Sequence, residues 1–132
     1  MFVIKSTLYL SRFIITVLAI VVTLILSHIP RQRTPELLDS FGADKVLHVM
    51  AYAAIVGLAL HAVKIPLGWK FYVGLLICMA TLGWIDEFSQ EFVGRTCSVY
   101  DWTADIVGSL MAIAVYRIYT WKFDISTDAN LQ

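Results

Sequence analysis

Acidic, amide and imidazole side chains are concentrated in two short stretches of an otherwise apolar chain. The first holds Asp44, His48 and Tyr52, which recur every four residues and therefore lie along one stripe of a helix. The second, residues 84–95, reads WIDEFSQEFVGR and ends an apolar run. A histidine oriented by a carboxylate can transfer protons near neutral pH, and crowded carboxylates either bind protons or recruit a cation. Both stretches are therefore candidates for a chemical site.

The composition indicates which solvent surrounds these polar groups. Of the 132 residues, 59% are hydrophobic and 15% are charged, which is typical of a membrane protein and not of a water-soluble domain. Basic and acidic residues number 10 each, and no basic, aromatic-rich stripe occurs, so nucleic acid is excluded as a partner. Cys78 lies in an apolar run and Cys97 in a polar one, so neither a disulfide framework nor a thiolate metal site is predicted.

Four apolar stretches approach the roughly 20 residues that a spanning helix needs. They are residues 13–29, 46–63, 69–88 and 102–121, and the prolines fall in the gaps between them. We therefore predict an all-α fold, a four-helix transmembrane bundle that runs up-down-up-down. Residues 1–122 should form one transmembrane domain and residues 123–132 a flexible polar tail. The first stretch is expected to be an uncleaved anchor, because no small-x-small signal-peptidase site follows it.

Basic residues outside the helices predict the orientation, since Lys and Arg favour the cytoplasmic side. The amino end, the second loop and the carboxyl end carry one set: Lys5, Arg12, Lys64, Lys70, Arg117 and Lys122. The first and third loops carry the smaller set: Arg31, Arg33, Lys45 and Arg95. Both termini are therefore predicted to lie in the cytoplasm, with the first and third loops outside.

In such a bundle the start of helix two, the end of helix three and the start of helix four lie at the same membrane face. The polar residues expected to meet there are Asp44, Lys45, His48, Tyr52, Asp86, Glu87, Gln90, Arg95, Asp101 and Asp105. Glu91 is expected to share a face with Glu87 and Gln90. Asp105 lies one turn, or about 6 Å, deeper than Asp101. It should therefore point into the bundle and pair with His48 or Arg95.

Small residues indicate where helices pack closely. Ala104, Gly108 and Ala112 form a small-residue seam on helix four, and Gly57, Gly74 and Gly83 are expected to serve similarly on helices two and three. Aromatic residues near the helix ends predict a membrane-interface belt: Trp69, Tyr100, Trp102, Tyr119 and Trp121. Tyr100 and Trp102 also suit a sugar-stacking platform.

The same polar residues resemble the two signature blocks of VanZ-like membrane proteins. The blocks are DKVLHVMAY and DEFSQEFVGRTCSVYDWTADIVGSL, within a region of about residues 38–115. The matching positions are Asp44, Lys45, His48, Tyr52, Asp86, Glu87, Gln90, Phe92, Gly94, Arg95, Asp101, Ala104, Asp105 and Gly108. A proline that often precedes the Gly-Arg pair is missing, and Asp105 stands where many members have asparagine. The resemblance implies a bacterial envelope protein of the inner membrane, whose namesake gives low-level resistance to the lipoglycopeptide teicoplanin.

Two functional hypotheses follow for these residues. In the first, the outward-facing site binds an envelope lipid, a glycan precursor or a lipoglycopeptide, and Arg95 grips a phosphate or carboxylate. In the second, an intramembrane enzyme acts on a lipid-linked substrate, with His48 as base and Glu87 as acid or metal ligand. Proton or ion transport along Asp105 is less favoured, because helix three has no ionisable residue at mid-membrane depth.

Each group also has a purely structural interpretation. Asp44, His48 and Tyr52 can cap and anchor helix two, and Arg95 can neutralise an acid of the bundle. A cation among Glu87, Asp101 and Asp105, with or without His48, has no recognised ligand spacing, so no metal and no cofactor is predicted.

No nucleophile is predicted either. His28 and His61 lie at helix ends without acidic company, and Ser89 and Ser109 have no histidine at a convincing spacing.

Overall fold

The computed structural model describes residues 2–30, 41–63 and 68–129, which form four α-helices and no strand. The helices are α1 (Phe2–Ser27), α2 (Phe41–Ala62), α3 (Trp69–Gln90) and α4 (Val99–Ala129). A single 3₁₀ turn, Glu91–Val93, follows α3. The predicted four-helix transmembrane bundle is confirmed. α4 extends past the predicted stretch to Ala129, and residues 130–132 of the predicted tail lie outside the described residues.

Consecutive helices run antiparallel, so α2 and α4 are parallel to each other. Lys45 near the start of α2 lies 2.7 Å from Asp101 near the start of α4. Ser27 at the end of α1 donates a 2.7 Å hydrogen bond to Asp86 near the end of α3. This up-down-up-down order brings the ends of α1 and α3 and the starts of α2 and α4 to one end of the bundle. We call it the polar end, because the polar residues lie there.

Many large apolar side chains face outward, as expected when lipid is the solvent. On α1, for example, Phe13, Leu18 and Ile25 are each more than half exposed. Within the described ranges, three stretches are long and apolar enough to cross a membrane: Leu10–Ser27, Gly42–Ala62 and Trp69–Val93. α4 is the longest helix, with 31 residues, but its first turns carry acidic side chains that make it less apolar.

The apolar core lies below the polar end and is built mainly on α2, which packs most closely against α4 and α1. Its buried members are Tyr52, Ile55, Val56 and Leu60 on α2 and Met79 on α3. Half-buried residues of α1 and α4, such as Ala19 and Ala112, pack against this cluster. The core therefore holds all four helices in register beneath the polar residues.

Two glycines allow close helix contacts. A β-carbon at Gly108 would overlap the carbonyl oxygen of Val49, so α2 and α4 touch backbone to backbone there. A β-carbon at Gly83 would lie 2.6 Å from the side-chain oxygen Oδ2 of Asp105 on α4. The predicted packing role is thus confirmed at these two positions. It is wrong for Gly57 and Gly74, which lie on outward-facing sides of their helices and have no neighbour that a β-carbon would meet.

Four residues of the predicted membrane-interface belt have exposed side chains, as such a belt requires: Trp69, Tyr100, Tyr119 and Trp121. Trp102 differs, because its Nε1 atom donates a 2.8 Å hydrogen bond to a backbone carbonyl of α3. The side of the membrane on which each end of the bundle lies stays a prediction. Of the residues used for it, Arg31, Arg33 and Lys64 lie outside the described residues, as do the side chains of Lys5 and Lys122.

Candidate functional site

The turn between α3 and α4 positions Arg95. Gly94 has a φ of 77°, in the left-handed region that favours glycine. Its N–H donates to the carbonyl of Glu91, and the N–H of Arg95 donates to the carbonyl of Gln90, both at 3.2 Å. These two bonds form a Schellman motif, which satisfies the last carbonyls of the helix and reverses the chain. Arg95 is thereby directed back toward α1 and α2.

His48 on α2 lies between two acidic side chains from different helices. Its Nδ1 atom is 2.8 Å from Oδ1 of Asp105 on α4, and its Nε2 atom is 3.8 Å from Oε1 of Glu87 on α3. Glu87 and Asp105 have no exposed surface, and His48 is buried as well. Of the two partners predicted for Asp105, the structure therefore has His48. The other, Arg95, makes its contacts elsewhere.

Gln90 connects Glu87 to Asp86 on the same helix. Its amide donates to Oε1 of Glu87 at 3.1 Å and to Oδ2 of Asp86 at 3.4 Å. The other oxygen of Glu87 accepts the backbone N–H of Ser98 at 2.9 Å, which ties the loop before α4 to α3. Glu91 does not share this buried face. It is exposed because α3 ends at Gln90 and Glu91 begins the 3₁₀ turn.

The second carboxyl oxygen of Asp105, Oδ2, is buried and has no hydrogen-bond partner among the described residues. It faces Gly83, where a β-carbon would lie 2.6 Å from Oδ2 and 3.3 Å from the hydroxyl oxygen of Tyr52. A buried polar atom without a partner usually costs about 1–3 kcal/mol. The described part of the chain therefore leaves this one oxygen of the site unsatisfied.

Two basic side chains form the rim above these buried groups. The Nζ atom of Lys45 lies 2.7 Å from Oδ1 of Asp101. The guanidinium of Arg95 donates a 3.3 Å hydrogen bond to the carbonyl of Ile29 and lies 3.6 Å from Oδ1 of Asp44. Both basic side chains keep some exposed surface. The residues predicted for the site thus lie at the polar end, except that Tyr52 belongs to the apolar core and reaches the site only with its hydroxyl. Their role in binding stays a prediction.

The polar end also offers a set of possible metal ligands. Asp44, His48 and Asp101 each have a ligand atom, and these atoms lie within 4.8 Å of one another. The set considered from the sequence contained Glu87 and Asp105 instead of Asp44. In the structure these two deeper acids contact His48. Lys45 and Arg95 already place positive charge beside Asp101 and Asp44. That charge opposes a divalent cation at the same oxygens.

Three residues of the polar end are missing from the sequence prediction: Ser27, His28 and Ser89. The expectation that His28 lacks acidic company is wrong, because its Nδ1 atom lies 3.5 Å from Oδ1 of Asp86. Its Nε2 atom lies 3.0 Å from the hydroxyl of Ser89. The sequence did offer one signal for these contacts. The predicted topology places the end of helix one, with Ser27 and His28, at the same end of the bundle as the end of helix three, with Ser89.

Buried acids outnumber buried bases at this end. Within the described chain, the carboxyl groups of Asp86, Glu87 and Asp105 are at most 1% exposed, and the only histidine buried with them is His48. Carboxylates in an apolar interior are costly unless they are paired and hydrogen-bonded. Asp86 and Glu87 obtain their bonds from hydroxyl, amide and backbone donors. Within the described ranges, the carboxyl group of Asp105 has a hydrogen-bond partner only in His48.

No family model, curated protein or solved structure matches this chain. The resemblance therefore rests on the two sequence blocks alone. The geometry adds that the polar residues of those blocks, although up to 61 positions apart between Asp44 and Asp105, meet at one end of the bundle.

Proposed function

We propose that the chain is a VanZ-like protein of the bacterial inner membrane, whose polar end faces outward and binds an anionic group of an envelope lipid, glycan precursor or lipoglycopeptide. The observation that carries this proposal is the loose attachment of Arg95. Among the described residues, one 3.3 Å hydrogen bond and one 3.6 Å ion contact hold its guanidinium, and the side chain keeps 13% of its surface exposed. Glu87 and Asp105, which it could have neutralised, engage His48 instead. Arg95 therefore retains donors for a phosphate or carboxylate.

The surroundings of Arg95 also favour an anion. Lys45 lies on the same rim, one residue from Asp44. α2 and α4 both begin at the polar end, and the N-terminus of a helix attracts negative charge through its free backbone N–H groups. Binding at this rim would change the availability of the ligand at the membrane surface without any bond being broken.

A binding measurement with an anionic lipid tests this proposal. The purified full chain in detergent is mixed with a polyprenyl phosphate, and binding is followed by native mass spectrometry. Arg95→Lys should weaken binding about tenfold, because lysine keeps the charge but loses the planar pair of donors. Lys70→Ala is the matched control, since Lys70 is an exposed cation at the start of α3, at the other end of the bundle. It should bind like the wild type.

Two results would contradict this account. One is a folded wild-type protein that does not discriminate polyprenyl phosphate from an uncharged polyprenol. The other is a folded Arg95→Lys protein that binds as tightly as the wild type.

A cellular measurement separates a lipid from a lipoglycopeptide as the ligand. Cells that express the chain should tolerate a higher teicoplanin concentration than cells with an empty vector, and Arg95→Lys should remove the difference. Direct binding of teicoplanin to the purified chain would make the antibiotic itself the ligand. Binding of polyprenyl phosphate alone would indicate protection through the envelope precursor.

An intramembrane enzyme is the second candidate, and the position of His48 favours it. A carboxylate at Nδ1 and a second one near Nε2 suit a group that is oriented and then exchanges a proton. Because His48 and Glu87 are both buried, a substrate reaches them only if the rim opens. Envelope lipids that change on expression of the wild type, but not of His48→Ala, would support this candidate. Unchanged lipids in cells that contain the folded wild-type protein would exclude it.

A further inference from the structure

A second group of side chains at the polar end has the arrangement of a nucleophile and its base. Its members are Ser27 and His28, at the end of α1, and Asp86 and Ser89, on the last turns of α3. None of them contacts His48 or Asp105 directly. The group borders the first site through the amide of Gln90, which bonds Asp86.

The hydrogen bonds of His28 determine which ring nitrogen can act as a base. Nδ1 lies 2.7 Å from the carbonyl oxygen of Leu24. A carbonyl can only accept, so Nδ1 carries the proton in this bond. In the neutral ring, Nε2 then carries a lone pair and lies 3.0 Å from the hydroxyl oxygen of Ser89. That hydroxyl donates to the backbone carbonyl of Asp86 at 2.8 Å, so its proton must rotate toward Nε2 before His28 can accept it.

Asp86 lies on the opposite side of the ring from Ser89. Its Oδ1 atom is 3.5 Å from Nδ1 of His28, and the hydroxyl of Ser27 donates to the same oxygen at 2.7 Å. A carboxylate in this position stabilises the imidazolium that forms when Nε2 takes a proton. Asp86 is therefore a positioning residue, which acts through His28.

The surface around Ser89 suits an apolar substrate. Phe88 on α3 and Phe92 in the 3₁₀ turn flank Ser89; both are exposed and their rings pack edge to face. Ser89 and His28 keep part of their surface accessible. Arg95 donates to the carbonyl of Ile29, the residue after His28, so a permanent positive charge lies at the edge of the group. An acyl chain in the bilayer can approach along the phenylalanines, and the arginine favours a developing negative charge.

We propose that Ser89 is a nucleophile for carboxylic esters of lipids, with His28 as its general base. The hydroxyl oxygen of Ser89 attacks the ester carbonyl while its proton moves to Nε2 of His28. The tetrahedral intermediate then expels the alcohol, which takes that proton, and leaves an acyl ester on Ser89. Water at the membrane surface hydrolyses this ester, with His28 again accepting a proton and returning it to Ser89.

This activity goes beyond the proposed binding function and does not depend on it. The probe is a fluorophosphonate with a long alkyl chain, reacted with the purified full chain in detergent, and the adduct is located by mass spectrometry. Wild-type protein should carry the adduct on Ser89, and Ser89→Ala should carry none there. His28→Gln should react about 100-fold more slowly, since general-base assistance is typically worth at least that factor.

Thr103→Ala is the matched control. Like Ser89, Thr103 donates its hydroxyl to the backbone carbonyl three residues earlier, at 2.8 Å, but it has no histidine beside it. Its adduct yield should equal that of the wild type. If His28→Gln fails to fold, carbethoxylation of His28 in the wild-type protein gives the same readout and should block labelling.

The proposal is overturned if folded wild-type protein acquires no adduct on Ser89, or if loss or carbethoxylation of His28 leaves the labelling rate unchanged. Ser89→Ala should still bind polyprenyl phosphate like the wild type. The two proposals can therefore fail separately.

Discussion

Gly83 on α3 and Asp105 on α4 lie so close that a β-carbon at residue 83 would stand 2.6 Å from Oδ2 of Asp105. The same β-carbon would lie 3.3 Å from the hydroxyl oxygen of Tyr52. Any larger residue at position 83 must therefore push the carboxyl group away from α3. Because Asp105 also contacts His48, such a displacement reaches the centre of the site.

Gly83→Ala should destabilise the protein, even though alanine is the better helix former. The added methyl group forces Asp105 to rotate, and overpacking of this kind costs about 1–3 kcal/mol. Unfolding by a denaturing detergent would measure the change. Gly74→Ala on the same helix is the control, since a β-carbon there meets no neighbour, and it should be neutral or slightly stabilising. Equal stability of the two variants would contradict the described contact.

Asp105→Asn and Asp105→Ala should differ in stability. Asparagine has nearly the same shape and keeps a polar atom beside His48, so it should fold. Alanine leaves His48 without its 2.8 Å partner, and removal of one member of a buried pair costs about 3–5 kcal/mol. Yields of monodisperse protein and the detergent unfolding midpoints would compare the two variants. An alanine variant as stable as the asparagine variant would show that the His48–Asp105 pair is not structural.

Gly94→Ala should impair binding of the anionic probe more than it impairs folding. A φ of 77° is strained for alanine by about 1–2 kcal/mol, so the Schellman turn should shift and carry Arg95 with it. Binding of polyprenyl phosphate, set against the unfolding midpoint, measures both effects. Gly68→Ala serves as the control, because Gly68 has a φ of −74° and open space around it. Unchanged binding in Gly94→Ala would mean that Arg95 does not depend on this turn.

The two natural cysteines provide a test of orientation. Cys97 lies in the third loop, whereas Cys78 faces outward from the middle of α3. A membrane-impermeant maleimide added to intact cells should label Cys97, and Cys97→Ser should abolish the label. Labelling only after the membrane is opened would place the third loop in the cytoplasm.

The rate of Cys97 labelling should rise with pH. Partial burial, and then the carboxylates of Glu87 and Glu91, raise the pKa of the Cys97 thiol above its ordinary value. The reactive thiolate is therefore scarce at neutral pH, and its fraction grows about tenfold per pH unit below the pKa. Labelling time courses at several pH values measure this. A rate that no longer rises above pH 8 would contradict the raised pKa.

The helices and their order could be predicted from the sequence, because apolar length and proline position depend on local composition. The pairing of Asp105 was predictable in part. A buried acid needs a partner, and four-residue spacing placed His48 on the right stripe, but spacing along one helix does not determine which of two basic groups comes nearer. The Schellman turn at Gly94 decided this by directing Arg95 to Asp44.

The contacts of His28 could not be predicted from spacing. His28 and Ser89 are 61 positions apart, and their 3.0 Å contact depends on how α1 packs against α3. Glu91 was assigned to the buried face because a continued helix would put it there. The helix instead ends at Gln90, a boundary fixed by the turn and not by hydrophobic periodicity.

Because α4 supplies Asp105 and follows the loop that supplies Ser98, the network is completed only after α4 has left the ribosome. A nascent chain that has delivered α2 and α3 to the bilayer holds His48 and Glu87 without these partners. Ionisable groups in that state face lipid or draw water into the membrane. Truncation before α4 should therefore yield a protein that membrane proteases recognise and remove, whereas the finished chain conceals the same groups.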